Sequence, residues 1–224
     1  IDMVQGVSEA LGIELAENFR RPFFSRSLAE YWRRWHISLG LWIKDYVFYP
    51  IAMSKLFAKF GKKVKAVCGS YMGKTLPGAL TSVITFVLIG IWHDVTWCYV
   101  LYGLWHGIIL GLSNLCEPLL QRINHVLEIR TDVLSFRWFQ RVRTWMLISI
   151  GESFTLAGSL AGLRLMSERI LQDFKYHTIV TQITEYGLDG ANWLVLSCAV
   201  LILIFVSMKQ ESGVRIREAM EKQN

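Results

Sequence analysis

Apolar residues in this chain gather into long runs separated by basic and mixed segments, and their spacing predicts helices rather than strands. The longest run, Leu80 to Ser113, reads LTSVITFVLIGIWHDVTWCYVLYGLWHGIILGLS. As one helix it would be about 51 Å long at 1.5 Å per residue, well beyond a hydrocarbon core of roughly 30 Å. It must tilt, break or turn back. The break is expected at His93-Asp94-Val95-Thr96, where a poor helix-interior residue is followed by two β-branched ones. The arm from Leu80 to Trp92 would then be only about 20 Å long, too short to cross upright. Interrupted helices are tolerated at membrane depth only where the freed backbone is buried in protein or lines a wet cavity, so His93 is expected in a partly wet pocket.

From Ser27 to Pro50 the text is SLAEYWRRWHISLGLWIKDYVFYP, with Ser27 and Glu30 spaced as in a capping box. Leu28, Tyr31, Trp32, Trp35, Leu39, Trp42 and Ile43 fall on one stripe while Arg33, Arg34 and Lys44 project elsewhere, which predicts a single helix over 27–50 lying in the membrane interface. Pro50 is expected to stop or bend it. Upstream, residues 1–21 are amphipathic and end in FRRPFF, where Pro22 punctuates. Residues 55–74 read as a basic, glycine-punctuated loop placed on the cytoplasmic side by the positive-inside bias, in contact with lipid. Residues 121–143 suit a further interfacial helix. Two more membrane spans are expected at 143–163, interrupted by Glu152 and carrying Gly151, Gly158 and Gly162 for close packing, and at 192–208. The loop 164–189 between them is expected outside the cell, and the tail 209–224 reads as a solvated helical end.

Composition fits an integral membrane protein of all-α class: 53% of the 224 residues are hydrophobic, with nine Trp and eight Tyr as interface anchors. The net charge of +6 lies mostly in segments flanking the apolar runs, which fits a cytoplasmic lipid leaflet better than nucleic acid. Cys68, Cys98, Cys116 and Cys198 show no metal-ligand or CxxC spacing and read as free thiols. The chain opens at Ile1 with no Met or charged leader, and reads as one membrane domain over 1–224 that is a piece of a longer protein.

The ordinary catalytic signatures do not appear. There is no GxSxG, since Gly151-Glu-Ser153-Phe-Thr lacks the closing glycine, and no HExxH, P-loop or GxGxxG. No bound metal or cofactor is expected. What remains is a set of histidines beside aromatic-rich break points. An ionisable group in a membrane segment is expensive and by default marks a site, and a neutral imidazole can take a proton from a hydroxyl at physiological pH, as acyl transfer to an alcohol requires. His93 suits that role, with Asp94 able to fix its tautomer only if the backbone is broken there. His36 is balanced between a site role and a snorkelling polar residue. His106 is expected to serve packing or a hydrogen bond between helices, and His125 and His177 carry no assignment. Trp92, Trp97 and Trp105 read first as core and interface residues that could also line a tunnel.

The strings EYWRRWHISLGLWIKDYVFYPI and IGIWHDVTWCYVLYGLWHGIILG resemble the two signature regions of the membrane-bound O-acyltransferase (MBOAT) family, within it the bacterial branch of alginate O-acetylation and teichoic-acid D-alanylation proteins. The match runs from about Asn18 to Gly111, with a weaker echo near Phe154. The resemblance implies a multi-pass protein of the bacterial cytoplasmic membrane, with transmembrane, broken and interfacial helices, whose core surrounds a tunnel. It makes this chain the C-terminal half of the whole. It implies that an acyl donor, acetyl-CoA or an acyl-carrier thioester, arrives from the cytoplasm and an acceptor hydroxyl from outside. It makes His93 the catalytic histidine and His36 the second functional position, on the cytoplasmic approach. Asp94, Trp92 and Trp97 become supporting residues, and Arg33, Arg34, Lys44 and Asp45 substrate or lipid contacts. The implied partners are membrane lipid, an acyl-carrier protein or acyl-CoA, and a separate extracytoplasmic transferase. Here Trp92-His93-Asp94 stands where the bacterial branch usually has WHG, so a carboxylate replaces a glycine beside the proposed base.

Overall fold

A computed structural model describes residues 2–172 and 189–213. Among these, regular structure is helical, and pairing of β type is limited to one isolated bridge between Phe19 and Trp35. The order is α1 (Asp2–Ala10), a 3₁₀ turn (Pro22–Phe24), α2 (Leu28–Arg34), α3 (Ile37–Ile43), a π-turn (Lys44–Phe48), α4 (Tyr49–Ala52), α5 (Lys55–His93), α6 (Trp97–Leu115), α7 (Glu117–Val126), α8 (Leu134–Leu156), α9 (Leu160–Gln172) and α10 (Gly190–Glu211). Three of them, α5, α6 and α10, are long and apolar enough to cross a membrane. The chain divides into two units, 1–164 and 165–224. In the second, α10 begins where the Asp189 side chain accepts from the Asn192 N–H at 2.8 Å, and its Leu201, Ile202, Leu203 and Phe205 are exposed.

The first unit is organised around the α5–α6 pair. Helix α5 is interrupted once. Gly69 has φ 87° and ψ 173°, outside helical space, so 55–68 and 70–93 are separate arms. The two arms fold against each other through glycine: a Cβ on Gly61 would stand 2.8 Å from the Gly73 carbonyl oxygen, and one on Gly73 2.9 Å from the Gly61 carbonyl oxygen. The segment expected as a basic loop over 55–74 is therefore a helical hairpin, because its lysines leave helical propensity high and only Gly69 interrupts it. Pro77 sits inside the second arm, where it withholds one backbone donor from Gly73; the Thr81 hydroxyl donates back to the Pro77 carbonyl at 2.9 Å.

The arm 70–93 has 24 residues, about 36 Å, and exceeds the hydrocarbon thickness. The expectation of a short arm beginning at Leu80 is thus corrected: Pro77 and Gly78 fail to stop the helix, and His93 lies at the end of a spanning-length helix rather than partway along one. The break itself falls where expected. Asp94 is extended at φ −164°, Thr96 is extended at φ −122°, and α6 starts at Trp97. Helix α6 then runs back along α5 on a seam of backbone contact. Gly107 faces Val83 and Gly111 faces Ala79, Gly103 lies against Phe86 and Val87, and Gly90 against the Tyr99 carbonyl. Three glycines spaced four apart on α6 allow this approach.

Helix α8 crosses α6 at Gly151, which rests on the His106 ring, and the Trp105 indole donates to the Leu147 carbonyl at 2.8 Å. The span expected at 143–163 is split: the helix ends at Leu156, Gly158 takes φ 65°, and α9 begins at Leu160. Leu28, Tyr31 and Ile148 form the buried core, with Trp32, Trp35, Ile109 and Leu110 packed around it, so α2 is wedged between α6 and α8. The loop 164–189 and the tail 209–224 lie largely outside the described residues, as does His177.

Candidate functional site

The first signature does not form one continuous helix. Helix α2 starts with half of the capping box as predicted, Ser27 Oγ accepting from the Glu30 N–H at 3.1 Å, while Glu30 reaches one residue further back and accepts from the Arg26 N–H at 2.8 Å in place of that of Ser27. It ends at Arg34, because Trp35 is extended (φ −106°, ψ 126°) and His36 is left-handed (φ 50°, ψ 52°). The chain then continues as α3, the π-turn and α4 without stopping at Pro50, which occupies the first turn of α4, where its missing N–H costs little. The stripe expected along 27–50 is rotated at this kink. Its first half, Leu28 and Tyr31, goes into the core, and its second half, Leu39, Trp42 and Ile43, turns toward α5.

That second half builds a cavity of 420 Å³ with α5, lined by Leu39, Trp42, Ile43, Val47, Thr85, Leu88, Ile89 and Trp92. Its walls are apolar apart from Thr85, a buried residue whose hydroxyl has no hydrogen-bond partner. The two signature regions, far apart in sequence, thus share one cavity. Trp92 forms part of its wall and its ring lies 4.6 Å from that of His93.

His93 is exposed at the hairpin tip, with the Tyr99 ring stacked at 6.1 Å on its other side. His36 is also exposed, 5.6 Å from the Phe19 ring. Asp94 is exposed on extended backbone, and among the described residues no hydrogen bond joins its carboxylate to His93. The tautomer of His93 is therefore not set by Asp94 in this arrangement. Trp97, 70% exposed, starts α6 just beyond the tip.

The other sequence candidates scatter. Arg33 and Asp45 are exposed. Lys44 lies over the Tyr49 ring at 5.4 Å. Arg34 is engaged within the protein: it pairs with Glu30 at 2.6 Å, both side chains 18% exposed, and donates to the Arg21 carbonyl. Its guanidinium buttresses the entry into α2. His106 is fully buried among Trp32, Phe86 and Tyr102, and neither ring nitrogen has a hydrogen-bond partner. It packs between helices, as one of its two expected roles requires. All four cysteines are free, and no group of three or more metal-ligating side chains occurs among the described residues.

Two features escaped the sequence reading. The glycine seam was legible as Gly103, Gly107 and Gly111 at a spacing of four. The contacts of Asn18 with the His36 kink were not, since they join residues twenty positions apart with no periodicity to mark them.

Comparison with known proteins adds an independent line. Over 210 residues the chain is 28% identical to the probable alginate O-acetylase AlgI of Pseudomonas aeruginosa, covering 93% of this chain and 34% of that protein. It is 37% identical over 112 residues to the teichoic acid D-alanyltransferase of Bacillus subtilis, covering 50% and 26%. It is 30% identical over 111 residues to the peptidoglycan O-acetyltransferase of Helicobacter pylori, covering 50% and 18%. The chain spans about a third or less of the length of these relatives. Residues 5–157, which hold the kinked first signature, the cavity and the hairpin tip, match the membrane-bound O-acyltransferase family, and the chain belongs to that family.

Proposed function

We propose that the whole protein is a membrane O-acyltransferase of the bacterial cytoplasmic membrane. It moves an acyl group from a cytoplasmic thioester to hydroxyls of an extracytoplasmic polysaccharide or other envelope polymer. The observation that supports this reading is the convergence of the two signature regions: Leu39, Trp42, Ile43 and Val47 of the first and Ile89 and Trp92 of the second line one cavity, and the Trp92 ring lies 4.6 Å from that of His93. In this reading His93 removes the proton from the incoming hydroxyl, the oxygen bonds to the carbonyl carbon, and the carbon–sulfur bond breaks. The thiolate leaves and recovers the proton. His36 serves the donor side. Arg33, Lys44 and Asp45 contact lipid or the donor, and Trp92 and Trp97 flank the reacting groups. Acetyl is the favoured acyl group, because the RRWHISLGLWIKDYVFYP phrase is nearer the alginate-type acetylation proteins, with D-alanyl the alternative.

In the full-length protein, His93→Ala is expected to abolish base-labile acetyl on the cell-surface polymer while leaving the protein inserted in the membrane. Unchanged acetylation would remove His93 from the catalytic role. D-alanine released in place of acetate would redirect the donor to an acyl-carrier thioester. If purified full-length protein transfers acyl groups to an acceptor only when a secreted transferase is added, the chain acts as a conduit to that partner.

A further inference from the structure

His36 is left-handed, a conformation uncommon for any residue with a Cβ even though Asn, Asp and His adopt it more often than most, and it persists where the surroundings support it. The surroundings here are three consecutive residues. The Asn18 side-chain oxygen accepts from the Ser38 N–H at 3.0 Å and from the Ser38 hydroxyl at 2.7 Å. The Asn18 carbonyl accepts from the Ile37 N–H at 3.0 Å, and the Arg20 N–H donates to the Arg34 carbonyl at 2.9 Å. Between them Phe19 sets its ring edge-on to Trp35 at 4.8 Å and against His36 at 5.6 Å. The kink is therefore gripped on both sides of His36, while the His36 side chain has no cap hydrogen bond of its own. Asn18 also supplies what α3 lacks. His36 cannot cap that helix with its side chain, and the Asn18 oxygen takes the Ser38 donor at the N-terminus.

We propose that Asn18 is the positioning residue for His36: by accepting both Ser38 donors it fixes the left-handed kink and so holds the His36 ring in place against Phe19. The proposal rests on the reading of His36 as a functional residue. Its chemistry is specific, because both bonds are accepted by one side-chain oxygen. An aspartate supplies the same acceptor and an alanine supplies none.

The test uses full-length protein in cells, with base-released acetate and D-alanine from the envelope polymer as one readout. The other is the rate of His36 carbethoxylation by diethylpyrocarbonate in native membranes, followed by mass spectrometry. Asn18→Ala is expected to lower ester formation by about 10- to 100-fold, the scale of a misplaced functional group, and to change the His36 carbethoxylation rate. Asn18→Asp is expected to restore both. His36→Gln is expected to lower ester formation on its own, and adding Asn18→Ala to it is expected to produce no further loss. A further loss in the double variant would make Asn18 a general structural residue and overturn the proposal, as would an Asn18→Ala protein with unchanged His36 reactivity. Should Asn18→Ala fail to accumulate, Ser38→Ala removes the hydroxyl bond alone, and an unchanged His36 reactivity there would equally overturn it. Full ester formation by His36→Gln would instead sink the functional reading of His36 and leave the geometric one to stand or fall on the carbethoxylation rates.

Discussion

The α5–α6 seam makes a prediction whose sign depends on two opposed effects. Alanine is a better helix former than glycine by up to about 1 kcal/mol in a helix interior. A Cβ at Gly107, however, would stand 2.6 Å from Val83 Cα, roughly 1 Å inside ordinary carbon–carbon contact. The obstacle is backbone, which cannot rotate away, so the helices must part along the seam. Overpacking of this kind costs about 1–3 kcal/mol; a clash this deep against backbone falls in the upper part of that range, so the propensity gain is outweighed and Gly107→Ala is destabilising by up to about 2 kcal/mol. At Gly111 the nearest atom is the Ala79 carbonyl oxygen at 3.1 Å, so a small shift suffices and the two effects nearly cancel. At Gly78 nothing lies within 4 Å, and only the propensity gain remains. The measurement is the midpoint temperature for loss of monodisperse protein in detergent, with the expected order Gly78→Ala highest, Gly111→Ala near the parent, and Gly107→Ala lowest. A Gly107→Ala protein as stable as the parent, or one that moves with Gly78→Ala, would show that the helices do not meet through backbone at this seam.

Other perturbations probe the remaining supports. Gly69→Ala places a Cβ on a residue at φ 87° and is expected to cost about 1 kcal/mol or more, read as faster protease cleavage between the two arms of α5. Trp105→Phe removes the indole donor to the Leu147 carbonyl and is expected to destabilise the α6–α8 contact by about 1–2 kcal/mol, measured by the same thermal assay; an unchanged midpoint would remove this bond from the contact. Burial, and secondarily the Glu152 charge, push the Tyr31 phenol above its ordinary value. Because the folded state holds that proton more tightly than the unfolded one, the stability it confers is complete below about pH 10 and declines as pH rises beyond it. Tyr31→Phe is expected to flatten this alkaline decline, and an identical pH profile would refute the assignment.

The helical class, the Ser27 half of the capping box, and the break after His93 were all readable along the chain because each is set by neighbouring residues. The length of the arm ending at His93 was not. Proline and adjacent glycine at 77–78 suggest a boundary locally, yet the helix passes through them and the Thr81 hydroxyl donates to the Pro77 carbonyl. The kink at His36 was hidden for the opposite reason. Nothing in RRWHISL departs from helical propensity, and the bonds that hold the left-handed turn come from Asn18 and Arg20, outside the segment. Arg34 combines both kinds of signal: its pair with Glu30 is four residues away on the same helix, whereas the Arg21 carbonyl comes from outside it. The tip histidine was found by its chemistry, whereas the cavity beside it required two segments to be folded together.

The pairing of Gly61 with Gly73 joins two devices into one. Pro77 denies the Gly73 oxygen its usual helical donor. Each glycine also leaves room for the other's carbonyl oxygen, since a Cβ at either position would stand within 3 Å of it, so the oxygen that the proline leaves without its helical donor lies where the two arms meet. A side chain at position 61 would cost more than its own volume: it would press on the Gly73 carbonyl and the Pro77 ring together, so the two arms would have to part where they cross.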